Sequence, residues 1–268
     1  MSDSEGRSLG SSLVIISTIV AVIILGFTVA TITFGPSIFS TATLSGFSAC
    51  LATILGLWSL YVISQDGLLR EDPYHLMNLA LSIALILFAL VDIARTGAIL
   101  NPTEDVFQYT VSSTLVAILV ILVFGIVGYA RSVNSVLNHM KQTERIFLIV
   151  ISLASAFLGL SLVPISGLES ISRIIRMMIT TGGFTSLSIT LAFAVLALKR
   201  GSIAKQLAHI TIALILISCQ SLLAWWTTDL IMMTITSVLG AQSYLLISLG
   251  INKACEECAN LEAGTELK

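Results

Sequence analysis

Two histidines occupy comparable places in the sequence and are the residues best suited to hold a cofactor. His75 and His209 stand 134 positions apart, half the chain length, and each lies near the start of a long apolar stretch. Imidazole nitrogens ligate haem iron and transition metals. The pair is therefore compatible with a haem or metal site. The alternative is that each histidine meets only water or lipid headgroups, because both fall at the first turn of a predicted membrane span.

A Cys-x-x-Cys motif near the C-terminus is the second candidate for metal binding. Cys255 and Cys258 provide two thiolates, which is half of a tetrahedral zinc site. A second pair from another copy of the chain would complete the site, and two reduced thiols without a metal are the alternative. No cofactor is required by these patterns. Haem and zinc are the two that the residues can hold.

Two arginines mark a third candidate site. In the segment 167–178 the apolar residues fall at helical spacing on one face, and Arg173 and Arg176 take the other face. This pattern predicts an amphipathic helix that lies in the membrane interface. The two guanidinium groups would then contact lipid phosphates or bind an anionic ligand.

Uncharged polar residues within the apolar stretches suggest a path for a neutral solute. Asn78, Gln220 and Gln242 are the most polar of these residues. Grouped in one cavity, they would line such a path. Serine, threonine and glycine are also frequent in these stretches, and tight packing between membrane helices explains them without any ligand.

Charged residues are nearly absent from the apolar stretches. Asp92 and Asp229 are the only acidic residues within or beside them, and we expect both at solvated helix ends, since a charge at the bilayer centre costs at least ~2.5 to 3.5 kcal/mol. Every lysine falls in a loop or tail, which excludes a retinal Schiff base. No metalloprotease, serine hydrolase or paired-aspartate motif occurs, so an enzyme is the less favoured class.

The composition places the chain in a membrane. Hydrophobic residues make up 56% of its 268 residues and charged residues only 10%, against about a quarter in soluble domains. Apolar runs of about 20 residues, each long enough to span a bilayer as a helix, recur along the chain. We predict an all-α, polytopic bundle of about eight spans at 11–34, 43–64, 75–94, 110–130, 146–166, 180–198, 207–226 and 230–251. Between the last two, a hairpin and one long bent helix both remain open.

Basic residues predict the orientation. With the N-terminus in the cytoplasm, ten Lys and Arg residues lie inside and three outside, as the positive-inside rule requires. The eight-span arrangement then divides the chain into a cytoplasmic N-terminal segment (1–10), a first four-helix half (11–130), a cytoplasmic connector (131–145), a second four-helix half (146–251) and an acidic cytoplasmic tail (252–268).

Short matches between the two halves indicate an internal duplication. Gly46-Phe47-Ser48 opens the second span and Gly183-Phe184-Thr185 the sixth, while the two histidines open the third and seventh. Units of four helices have the same orientation in the membrane. They would be related by an axis along the membrane normal, as in transporters built from parallel repeats.

Three functions are compatible with these observations. The favoured one is a transporter, or transporter subunit, for a small neutral or anionic solute. A membrane sensor or assembly subunit that acts through a partner is the alternative, and a haem-binding redox subunit is the third. We expect a multi-pass protein of a cell or organelle membrane that contacts the bilayer and either another membrane protein or a second copy of itself. The net charge of -2 gives no reason to expect nucleic acid as a partner.

Overall fold

The described residues of the computed structural model form only helices and short connections. They are 19–20, 22–31, 33–65, 73–102, 105–132, 146, 150, 171–197, 202–224 and 229–265. The helices are α1 (Val22–Thr31), α2 (Ile38–Gln65), α3 (Pro73–Leu100), α4 (Asp105–Ser132), α5 (Ile171–Ala197), α6 (Ser202–Leu223) and α7 (Leu230–Thr265).

Five of these described helices, α2, α3, α4, α5 and α7, are long and apolar enough to cross a membrane. The prediction of an all-α, multi-pass membrane bundle is confirmed at that level. The N-terminal segment 1–10, residues 133–145 of the connector and most of the predicted fifth span lie outside the described residues. The tail begins as a continuation of α7, which stays helical to Thr265.

Helices α2 to α7 pack in a closed ring in chain order. Each contacts the next, α7 returns to contact α2, and α3 also contacts α7 across the ring. We call the end at which α3 and α6 finish, and α2, α4, α5 and α7 begin, the upper end. Helices α6 and α7 are separate and pack against each other, so the hairpin that the sequence left open is the observed arrangement.

Local chemistry explains where several helices begin. Ser37 and Ser40 exchange hydrogen bonds between side chain and backbone amide at 3.0 Å, which caps the first turn of α2. Pro73 begins α3, where its missing amide donor costs nothing. The Asp229 carboxylate accepts a 2.9 Å hydrogen bond from the Ile231 amide and caps α7.

Large apolar side chains occupy both the core and the outer surface. Phe88, Phe184 and Tyr244 are completely buried and meet at the centre, where the Phe88 ring lies 5.3 Å from that of Tyr244 and 6.4 Å from that of Phe184. Leu90 and Phe124 are among many large apolar residues that are exposed. An apolar exterior around a packed interior is the pattern expected of helices that face lipid.

Candidate functional site

Asp92 is completely buried among the helices, so the expectation that it lies at a solvated helix end was wrong. The predicted third span ended at residue 94, but α3 continues to Leu100. Asp92 therefore lies eight residues inside the helix, about 12 Å below its upper end. Asp229 is exposed at the start of α7, as predicted.

Three hydrogen-bond donors from three helices surround the Asp92 carboxylate. Ser48 of α2 donates to Oδ2 at 2.7 Å, and the Tyr244 hydroxyl of α7 donates to the same oxygen at 2.9 Å. Arg95, one turn further along α3, donates from Nη1 to Oδ1 at 3.1 Å. Because all three described partners donate, the arrangement satisfies an ionised carboxylate and joins α2, α3 and α7.

The charge of Asp92 is balanced within its own helix. Residues three apart lie on one face of a helix, so Asp92 and Arg95 form an ion pair there. The pair lowers the cost of burying either charge, which lets α3 continue where the hydropathy of single residues predicts its end. The sequence contains a signal that could have revealed this site. An acidic and a basic residue lie three positions apart, and the apolar run from Ala98 to Leu100 follows them.

A cavity of about 450 Å³ lies above this pair, between the upper ends of α2 to α7. Arg95 and the polar side chains of Gln108, Ser112, Thr236 and Ser237 form part of its wall. The remaining wall is mostly apolar, including Ile99, Val111, Met177, Leu223 and Met233. Gln108 Oε1 is buried and makes no hydrogen bond to a described residue. The cavity thus combines an apolar surface with a few polar groups.

Arg176 lies beside this cavity rather than on an interfacial helix. The predicted interfacial segment was wrong from residue 171 onward, because these residues form the first turns of α5. Arg176 donates a 3.1 Å hydrogen bond from Nε to the hydroxyl of Ser112, and its guanidinium lies 4.3 Å from the centre of the Tyr109 ring. Arg173 lies one turn earlier, and its side chain is outside the described part of the structure.

The polar amides do not form one cluster. Asn78 lies about 33 Å below the upper end of α3, whereas Gln220 lies only about 5 Å below that of α6. Gln242 is partly buried on α7. Gln220 is buried close to Tyr244, and its Nε2 makes no hydrogen bond to a described residue. Gln220 thus borders the Asp92 cluster, and Asn78 belongs to the opposite half of the bundle.

The histidines and cysteines remain candidates without a described site. His75 and His209 are both partly buried in the lower half, on α3 and α6. The two helices that carry these histidines are not neighbours in the ring, because α3 packs against α2, α4 and α7, whereas α6 packs against α5 and α7. Cys255 and Cys258 lie on the last turns of α7, with side chains outside the described part. Within the described part of the chain, no three His, Cys, Asp or Glu side chains are grouped to hold a metal ion.

Comparison of the chain with protein-family models, curated proteins and solved structures finds no match. The charged side chains whose surroundings the structure describes are Asp92, Arg95, Arg176 and Asp229. All four lie in the upper half of the bundle, so this half is the candidate site.

Proposed function

We propose that the protein transports a small neutral or anionic solute, and that the cavity at the upper end is the solute site. The observation that carries this proposal is the position of Arg95. It forms part of the cavity wall and is held by Asp92, which lies inside the ring of helices. A buried ion pair below a cavity gives the bundle a polar centre that packing alone does not require.

The cavity has the properties of a ligand site. Its volume of about 450 Å³ falls within the ~300 to 1,000 Å³ typical of pockets for small molecules. Such pockets are largely apolar and contain a small number of polar groups that orient the ligand. Arg95, Gln108 and Ser112 are polar groups of this kind on two neighbouring helices, α3 and α4.

Three aromatic side chains pack against one another below the cavity. Phe88, Phe184 and Tyr244 fill the space between α3, α5 and α7 and are completely buried. A carrier that works by alternating access must close one side of the membrane while its site is accessible from the other. The aromatic layer is suited to be the closed side in this conformation.

The order of the ring supports the finer topology that we propose. Under the duplication, α2, α3 and α4 correspond to α5, α6 and α7. The contact of α4 with α5 joins the first repeat to the second, and the contact of α7 with α2 joins the second repeat to the first. The two contacts are therefore equivalent under the duplication. We propose eight spans in two parallel four-helix repeats, with both termini in the cytoplasm and the upper end outside. Cysteine labelling of the tail in intact cells tests this topology, since external reactivity would contradict it.

Filling the cavity tests the transport proposal. Ala98 lies in the cavity wall, and Ala98→Trp should lower solute uptake into proteoliposomes at least tenfold because the indole occupies the solute site. Ile93→Trp is the matched control, since Ile93 is exposed on the same helix. A broad panel of radiolabelled neutral and anionic solutes would be screened first. Transport is contradicted if no solute enters, or if the two variants lower uptake equally.

The extension of α7 favours a second candidate, a sensor or assembly subunit. The apolar part of α7 ends at Asn252, yet the helix continues to Thr265 and has a length of about 54 Å, well beyond a hydrocarbon core of ~30 Å. Glu256, Glu257 and Glu262 give this extension an acidic composition. A membrane-protein partner or a second copy could bind there. Stoichiometric recovery of a partner that is lost on deletion of 253–268, without solute flux, would favour this candidate.

A further inference from the structure

We propose that the cavity binds organic anions that have an apolar chain or ring, and that Arg95 holds the anionic group. The inference rests on the proposed function in taking the cavity as the solute site, and it narrows the solute to one chemical class. The Arg95 side chain is 12% exposed and forms part of the cavity wall, and its hydrogen bond to Asp92 of the same helix holds it there.

Arg95 has hydrogen-bonding capacity beyond its bond to Asp92. A guanidinium group has five N–H donors in a fixed plane, and the 3.1 Å bond to Asp92 uses one of them within the described structure. The planar arrangement matches the two oxygens of a carboxylate, which makes arginine the residue best suited to bind that group. A ligand carboxylate in the cavity can accept hydrogen bonds from the N–H groups that Asp92 does not use.

The balance of charge around the cavity also favours an anion. Asp92 is negative and fully buried, whereas Arg95 and Arg176 are positive and partly buried. Asp229 is exposed, so water screens its charge. Arg176 contacts Ser112 of the cavity wall. Among these three described side chains the positive charges outnumber the negative one by one, and a bound anion would balance this excess.

The rest of the wall selects an apolar body. Ile99 of α3, Val111 of α4 and Met177 of α5 present aliphatic or thioether surface. Leu223 and Met233 do the same on α6 and α7. A small hydrophilic anion such as chloride would leave this surface in contact with water. An alkyl or aryl carboxylate buries it and places its charge at Arg95.

Asp92 then acts as an internal competitor for the ligand. Its carboxylate already occupies one side of Arg95, and its negative charge opposes a second anion nearby. Removing this charge without changing the shape of the side chain should strengthen binding of an anion. A purely structural ion pair makes the opposite prediction, because disturbing it would loosen the site and weaken binding.

Equilibrium binding of radiolabelled octanoate to the purified full chain in lipid nanodiscs tests the inference. Octanol is the neutral comparison, and oleate added to the nanodisc lipid tests whether the anion comes from the bilayer or from water. The variants are Arg95→Gln, Asp92→Asn and the double variant, which removes both charges and avoids an unpaired buried one. Asp229→Asn removes an exposed charge at the same end and is the matched control.

We expect octanoate to bind at least tenfold more tightly than octanol. We also expect Arg95→Gln and the double variant each to lower octanoate affinity about tenfold or more, because the charged hydrogen bonds are lost. Asp92→Asn should raise the octanoate affinity about threefold, which is the size of effect expected from removing one nearby charge. Asp229→Asn should leave it unchanged. Arginine-dependent binding of oleate alone also supports the inference and identifies the bilayer as the source.

Equal affinity for octanol and octanoate, or octanoate binding that survives in both variants lacking Arg95, overturns the inference. Weaker octanoate binding in a folded Asp92→Asn variant overturns the competitor role. Binding without uptake into proteoliposomes leaves the anion site standing and contradicts transport. Uptake of a neutral solute without anion binding contradicts this inference and leaves transport standing.

Discussion

The upper and lower halves of α3 are stabilised in different ways. In the lower half, glycines on both neighbouring helices bring the backbones together. A Cβ on Gly56 of α2 would lie 2.8 Å from Ile86 Cγ1, and one on Gly125 of α4 would lie 2.6 Å from Ala80 Cβ. In the upper half, a Cβ on Gly97 would likewise lie 2.6 Å from the Phe107 ring of α4, and Asp92 in addition bonds to side chains of α2 and α7. The cavity described above lies in the upper half, next to this polar cluster.

With the proposed solute site in the upper half, substitutions there should affect both stability and binding, whereas substitutions in the lower half should affect stability. Membrane helices associate without a hydrophobic driving force between them, so close contact and hydrogen bonds must hold them together. Glycines provide close contact in both halves, and the Asp92 cluster adds hydrogen bonds between helices in the upper half. Substitutions in the two halves should therefore differ in how much they lower the free energy of unfolding and in whether they change ligand binding.

The largest effect is expected for Asp92→Leu. This change leaves Arg95 buried without its partner and removes the acceptor of the Ser48 and Tyr244 hydroxyls, so we expect a loss of about 3 to 5 kcal/mol in the free energy of unfolding. Unfolding by sodium dodecyl sulfate in mixed micelles, followed by circular dichroism, measures it. Asp92→Asn keeps the shape and most hydrogen bonds and should lose less. Equal stability of Asp92→Leu and the unmodified chain would show that the cluster holds nothing together.

A smaller loss is expected for Gly125→Ala in the lower half. The added methyl would collide with Ala80 and force α3 and α4 apart, which should cost about 1 to 3 kcal/mol in the same unfolding measurement. Gly46→Ala is the control, because a Cβ there would meet nothing within 4 Å. Octanoate affinity should be unchanged in folded Gly125→Ala. A change in affinity comparable to that of Arg95→Gln would contradict the division between the halves.

The smallest effect is expected for a hydrogen bond between α2 and α7. The buried hydroxyls of Thr41 and Thr234 lie 3.1 Å apart. Thr41→Val keeps the side-chain shape and should lower the free energy of unfolding by about 0.6 kcal/mol, the average for such bonds in membranes. Thr43→Val is the matched control, since within the described structure the Thr43 hydroxyl bonds to the Phe39 carbonyl of its own helix. A control that loses as much stability as Thr41→Val would show that this bond between helices contributes nothing.

The sequence predicted the broad class well but missed the main charged site. Apolar runs identified membrane helices because lipid imposes the same requirement on every turn that it contacts. The apolar runs misplaced the end of α3 and the start of α5, because Arg95 and Arg176 interrupt the apolar sequence there. Both residues lie inside continuous helices. Hydropathy treats each charge separately, whereas Arg95 is paired with Asp92 and Arg176 contacts Ser112 and Tyr109.

Among the predicted site residues, Arg176 lies in a different setting from the one expected, and its binding of an anion stays a prediction. Its guanidinium was expected to face lipid or an anion at the surface, and it lies beside the cavity wall. Gln220 borders the Asp92 cluster, while Asn78 lies at the other end of the bundle. One-dimensional spacing cannot bring together residues on different helices, because it contains no information on which helix faces which.

The sequence by itself determined that this protein is a helical membrane protein with few charges, because composition and the length of apolar runs decide whether a segment prefers lipid to water. Only the tertiary structure decided the environment of Asp92. Whether a carboxylate in a membrane helix faces water or is buried depends on donors from other helices, here Ser48 and Tyr244. Such contacts depend on the packing order of the ring, which apolar periodicity does not specify.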